Sequence, residues 1–72
     1  MMREKKVMMT LVNNQCYISS INNRTLQHIC ALYHVPLNKS TLRGHNNYYI
    51  DFTDLQKFIT VFTGKEYSVE FI

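Results

Sequence analysis

The hydrophobic positions follow two different periods along the chain. "KVMMTLV" at residues 6–12 and "CYISSI" at residues 16–21 are rich in β-formers and are separated by Asn13-Asn14-Gln15. An asparagine pair can occupy the positive-φ positions of a tight turn, so residues 1–21 are predicted to form a β-hairpin. Beyond Asn23 the period lengthens. Leu26, Ile29, Cys30 and Tyr33 fall at i, i+3, i+4 and i+7, which is one face of a helix. Asn22 or Asn23 can cap its start, and Pro36 limits its end because the residue before proline avoids helical angles. Asn38 to Arg43 reads as a second, very short helix, capped by Asn38 and closed by Gly44. "NNYYIDF" reads as a turn entering a strand, with Tyr48, Ile50 and Phe52 on one side and Tyr49 and Asp51 on the other. A third helix follows. Thr53 and Gln56 fit a capping box, Asp54 suits the first turn, Leu55, Phe58, Ile59 and Phe62 form an apolar stripe, and Gly64 stands just past the end. "EYSVEFI" then alternates as a terminal strand with Tyr67, Val69 and Phe71 on one side.

This order of elements predicts an α+β fold in a single domain over residues 1–72. It comprises a hairpin (1–21), a helix-turn-helix-like core (23–62) and a terminal strand (65–72). There are 72 residues, 46% of them hydrophobic, which is the composition of a folded chain and not of a disordered one. A core of this size is marginal, and a homodimer or a partner protein would add burial. No apolar run approaches the ~20 residues that cross a bilayer. Arg3, Lys5 and Lys6 ahead of "VMMTLV" resemble the start of a signal peptide, but the run is short and "NNQ" follows in place of a cleavage site. A cytoplasmic location without a membrane partner is therefore expected. Cys16 and Cys30 are too few for a disulfide framework and read as buried thiols.

Charge sharpens the picture only slightly. The net charge is +3. Arg3, Lys5, Lys6, Arg24, Lys39 and Arg43 stand against Glu4 alone in residues 1–43, whereas Asp51, Asp54, Glu66 and Glu70 outnumber Lys57 and Lys65 afterwards. A basic half suits a polyanion, and the same balance is common in small proteins without one. Catalytic chemistry finds no support. Asp51 and Asp54 read as a helix start, no glycine-rich phosphate loop is present, and no cysteine–histidine pair has an orienting group. Cys30 and His34 are four apart and could face one metal ion, with His28 and His45 as further ligands, but zinc spacing such as C-x-x-C is missing. No enzyme, cofactor or metal site is expected.

The stretch "TLQHICALYHV" followed by "NKSTLRG" has the shape of a helix-turn-helix, in which the second helix offers polar and basic side chains to the major groove. Arginine can grip guanine, asparagine can grip adenine, and Ser, Thr and Lys can reach phosphates. The series helix, bend, "STLR", turn, "YYIDFTDLQKFI" resembles the winged helix-turn-helix of phage excisionases and MerR-like DNA-binding domains over residues 25–62. The resemblance implies a small duplex-DNA-binding regulator of phage or mobile-element type. It places Asn38, Lys39, Ser40, Thr41 and Arg43 on the recognition helix and His45, Asn46, Asn47 and Tyr48 in the wing. The sequence departs from that pattern at His34, where the family has glycine, and at Pro36 and Leu37, which lengthen the bend. The alternative is a non-enzymatic inhibitor or adaptor that binds a host protein through its β-rich or aromatic surface, by strand pairing or otherwise. A single-stranded RNA module using the tyrosines is a third reading.

Overall fold

The computed structural model describes residues 5–40 and 47–72. Five strands form one mixed sheet: β1 (Lys5–Val12), β2 (Gln15–Ser19), β3 (Asn38–Ser40), β4 (Asn47–Asp51) and β5 (Tyr67–Phe71). Two helices connect them, α1 (Asn23–Leu32) after β2 and α2 (Leu55–Gly64) after β4, the latter entered through a 3-10 turn over Phe52–Asp54. The strand order is β3-β4-β2-β1-β5, antiparallel throughout except that β5 runs parallel to β1. This is the expected α+β fold, with its N-terminal hairpin and C-terminal strand. No helix among the described residues is long and apolar enough to cross a membrane.

The hairpin forms as its sequence predicts. Asn13 and Asn14 take φ of 50° and 65°, so both turn positions are left-handed and the turn twist matches that of the strands. Strand alternation then sends Val7, Met9, Cys16 and Ile18 to one face, where all are buried. The apolar run "VMMTLV" thus lies within the sheet, contributing to its core.

Helix α1 begins where Asn22 caps it. The Asn22 side-chain Oδ1 accepts hydrogen bonds from the backbone N–H of Arg24 (2.8 Å) and of Thr25 (3.3 Å). Its end is set by backbone geometry ahead of Pro36. His34 adopts φ of 58°, the Val35 N–H donates to the Cys30 carbonyl (2.8 Å), and the His34 N–H donates to the Ala31 carbonyl (3.4 Å). That pair of bonds is a Schellman closure, with Val35 buried after it. His34 therefore holds the left-handed conformation that glycine takes without steric cost.

Two expectations are corrected. The segment from Asn38 is not a helix. Asn38, Lys39 and Ser40 form strand β3, paired with Tyr49, Tyr48 and Asn47. The ladder with β4 satisfies the backbone groups that face it, and the segment leaves Pro36 already extended; residues 41–43 of the predicted helix lie outside the described residues. Among the described residues helix α1 consequently has no second helix across a bend, and the hairpin and terminal strand share one sheet with the supposed core. The start and end of α2 also differ. Asp51 precedes the 3-10 turn, and neither Asp51 nor Asp54 makes a side-chain capping bond. Gly64 is the last residue of α2 rather than a residue beyond it. The left-handed position falls on Glu66, φ 69°, whose N–H donates to the Thr63 carbonyl (3.0 Å).

The core lies between the sheet and both helices. Leu26, Ile29 and Cys30 of α1, Val35, and Phe58 and Phe62 of α2 close over Val7, Met9, Cys16, Ile18 and Ile50. Phe58 and Phe62, one turn apart and 0% exposed, stack with centroids 4.1 Å apart. The Phe62 ring also meets Tyr67 of β5 edge-on at 5.5 Å. Phe62→Ala is expected to cost about 3–5 kcal/mol in urea unfolding, because it removes the ring that joins α2 to β5 and leaves a cavity. Gly64→Ala is expected to raise stability by about 0.4–1 kcal/mol in the same assay, since a Cβ at that position meets nothing within 4 Å.

Candidate binding surface

Sheet alternation decides what each face offers. Both helices occupy the face that carries Val7, Met9, Cys16, Ile18 and Ile50. Among the described residues no helix lies over the opposite face. Through the register Thr10↔Tyr17↔Tyr49↔Asn38, one row of that open face runs across β1, β2, β4 and β3. Met8 and Ser19 form the row on one side of it, and Val12, Gln15 and Asp51 the row on the other.

At the centre stand Tyr17 and Tyr49. They are directly opposed across β2 and β4, with ring centroids 5.1 Å apart and planes inclined at 36°. A cross-strand aromatic pair stabilises the sheet locally. Both side chains are half-buried, and neither helix lies over them. The Tyr17 hydroxyl donates to Gln15 Oε1 at 3.2 Å, which fixes the ring's tip beside a polar amide. The charges on this face nearly cancel among the described residues. Lys6 Nζ lies 3.7 Å from Glu70 Oε2, and Asp51 is exposed. Such an exposed pair adds little stability. Among the described residues no continuous basic track rings the aromatic centre.

The residues expected to read DNA divide between the two faces. Asn38 lies on the open face beside Tyr49, and Ser40 follows it by alternation. Lys39 and Tyr48 point to the helix side. Tyr48 packs against the core, and its hydroxyl accepts a hydrogen bond from Gln27 Nε2 of α1 at 2.7 Å, so it ties helix to sheet. Lys39 is exposed on the edge strand. Asn47 pairs with Ser40 through the backbone. Thr41, Arg43, His45 and Asn46 lie outside the described residues.

Sequence reasoning passed over Tyr17. The signal was present in the alternation of "QCYIS", where buried Cys16 and Ile18 leave Tyr17 on the other side. Its meeting with Tyr49 depends on β2 pairing with β4 across more than thirty intervening residues, and no local pattern carries that. Cys30 and His34, four apart in sequence, do not share a face, because Cys30 is in the core and His34 is exposed past the helix end. Among the described residues no three His, Cys, Asp or Glu side chains converge. A shallow groove of about 610 Å³ beside the start of α2, lined by Phe52, Thr53, Leu55, Gln56, Ile59 and Thr60, contains no titratable side chain.

Comparison with models of protein families, with curated proteins and with solved structures returned no match. What the chain does is therefore argued from its own surfaces.

The two thiols belong to the core, and burial raises both. Cys30 is pushed up to about 11 from its ordinary value of 9.0, and Cys16 moves in the same direction. Between 9 and 11 the unfolded chain releases a proton that folded Cys30 retains. The stabilising contribution is thus complete below pH 9 and is lost as pH rises through that window. Urea midpoints measured from pH 8 to 11 should fall more steeply for the natural protein than for Cys30→Ala, and equal slopes would contradict this assignment.

Proposed function

We propose that the protein is a non-enzymatic binding module, of inhibitor or adaptor type, that docks a partner protein on the open face of its sheet. One observation carries the reading: the Tyr17–Tyr49 pair stands at the centre of a sheet face that neither helix covers. Tyrosines supply large, stiff contact area with a polar tip, and for that reason they concentrate at protein interfaces and their hot spots. The flanking Thr10, Gln15 and Asn38 offer neutral donors and acceptors, and Met8 and Val12 offer apolar area. The chemistry that fits is a neutral, mixed polar and apolar protein surface. A polyanion would find Lys6 already beside Glu70.

Duplex DNA is the second reading, in the manner of a small excisionase-type regulator. It is favoured by the net charge of +3, a pI near 9.0 and the exposure of Lys39 on β3. With β3 extended, such binding would use the β3–β4 ribbon, which a major groove also admits.

Two double variants separate these readings. Tyr17→Ala with Tyr49→Ala should weaken capture of the protein partner by about 2 kcal/mol or more, roughly thirtyfold, while circular dichroism remains folded. Lys39→Ala with Arg43→Ala should leave that capture unchanged. Duplex DNA binding that falls steeply with salt and disappears in the Lys39/Arg43 variant, with the tyrosine variant unaffected, would overturn the docking reading in favour of the second.

A further inference from the structure

Strand β5 is an outer edge of the sheet, and the direction of its hydrogen bonds can be read from one contact. The Ile72 N–H donates to the Met9 carbonyl at 2.8 Å, in line with the parallel register that places Tyr67 beside Lys5, Val69 beside Val7 and Phe71 beside Met9. Within a strand the N–H and C=O of one residue point to the same side, and those of the next residue to the other. Ile72, Glu70 and Ser68 therefore turn their backbone groups toward β1. Tyr67, Val69 and Phe71 turn theirs outward, where no strand among the described residues meets them.

Sheet edges are normally blunted by proline, lysine, bulges or brevity. The opposite edge, β3, has such protection, being three residues long and carrying Lys39. β5 has five residues without proline, lysine or bulge, and Phe71 at its end and Ile72 just beyond it are 49% and 77% exposed.

We propose that this edge pairs with β5 of a second copy of the chain, antiparallel and about a twofold axis through Val69. The outward-facing residues are symmetric about that point. Tyr67 would face the partner's Phe71, Val69 the partner's Val69, and Phe71 the partner's Tyr67. Each facing pair exchanges both of its N–H···O bonds, because these are the residues whose groups point outward. The side chains match as well. Aromatic meets aromatic on the helix side, and on the open face the Ser68 hydroxyl meets the partner's Glu70 carboxylate. Within one chain that hydroxyl donates to Glu70 Oε2 at 3.2 Å, so the two groups are already compatible. The neighbouring symmetric registers are worse. An axis through Glu70 sets that carboxylate against its own copy, and one through Ser68 sets Glu66 against the partner's Glu70, and like charges directly opposite destabilise a sheet. The contact is isologous and closed, so it stops at two copies.

An axis normal to the sheet keeps the helices of both copies on one side. The two open faces, each with its Tyr17–Tyr49 pair, then form one continuous surface. The pairing stands independently of what that surface binds.

Sedimentation of the full chain from about 1 µM to about 1 mM tests the proposal, with the mass expected to climb from that of the monomer toward twice that value. Ser68→Glu is the informative variant. Within one chain residue 68 sits opposite Lys6, so the new carboxylate supports the fold. Across the axis it meets the partner's Glu70 twice, and association should weaken about tenfold. A synthetic chain with N-methyl-Val69 keeps every bond to β1 and should not dimerise. In hydrogen exchange, the amides of Tyr67, Val69 and Phe71 should gain protection as concentration rises, while those of Ser68, Glu70 and Ile72 are protected throughout. A chain that remains monomeric across this range, or a dimer unaffected by both changes, would overturn the proposal.

Discussion

The structure depends on a constraint of handedness. β2 and β4 lie side by side and antiparallel, and each feeds a helix that crosses to a strand parallel to itself. From β2 the chain passes through α1 to β3 on one side, and from β4 it passes through α2 to β5 on the other. Strands that run in opposite directions and cross in opposite directions with the same hand place both helices on the same face. All available apolar helix surface is therefore spent on one side. Val7, Met9, Cys16, Ile18 and Ile50 are covered, and among the described residues neither helix is left to cover the other side.

The open face and the open edge follow from that arrangement. A sheet covered on one side must tolerate water on the other, and most of its outward positions do: Thr10, Gln15, Ser19, Asn38, Asp51, Ser68 and Glu70 are polar. Tyr17, Tyr49, Met8 and Val12 are the exceptions, and they are where a binding function is most economically sought. The parallel attachment of β5 has a comparable consequence. The last strand is laid against β1 at the far edge, with the helices above the sheet and not beside it. Its outward backbone groups meet no strand among the described residues, and the alternation that packs half-buried Val69 and Tyr67 against the core also sets Ser68 and Glu70 on the solvent side.

The local elements were legible in the sequence because their causes are local. Asn13 and Asn14 specify a tight turn, Asn22 specifies a helix start, and the spacing of Leu26, Ile29 and Cys30 specifies the buried face of α1. The stripe of Phe58 and Phe62 did the same for α2. Reading failed at Asn38–Ser40, the start of a polar segment whose capping residue and following glycine satisfy the local rules for a short helix. The preference of such a segment is weak, and pairing with Tyr48 and Tyr49 overrides it for Asn38–Ser40. The end of α2 failed for a related reason. His34 and Glu66 hold left-handed conformations that sequence rules assign to glycine, while Gly64 spends its freedom inside a helix. For the site, Tyr49 and Asn38 were within reach of alternation, but the encounter of Tyr17 with Tyr49 and the withdrawal of Tyr48 to Gln27 are products of sheet order.

The one-sided sheet is the claim on which both surfaces rest, and adjacent methionines report on it directly. Met8 and Met9 are neighbours in β1 and point to opposite faces, Met9 fully buried and Met8 half-buried on the open side. Their methyl resonances can be followed in solution while a soluble paramagnetic agent is added. The account predicts strong broadening of the Met8 methyl, with the Tyr17 and Tyr49 ring signals broadened alongside it, while the Met9 methyl stays sharp. Equal protection of Met8 and Met9 would mean that the second face is covered, and the account would be wrong.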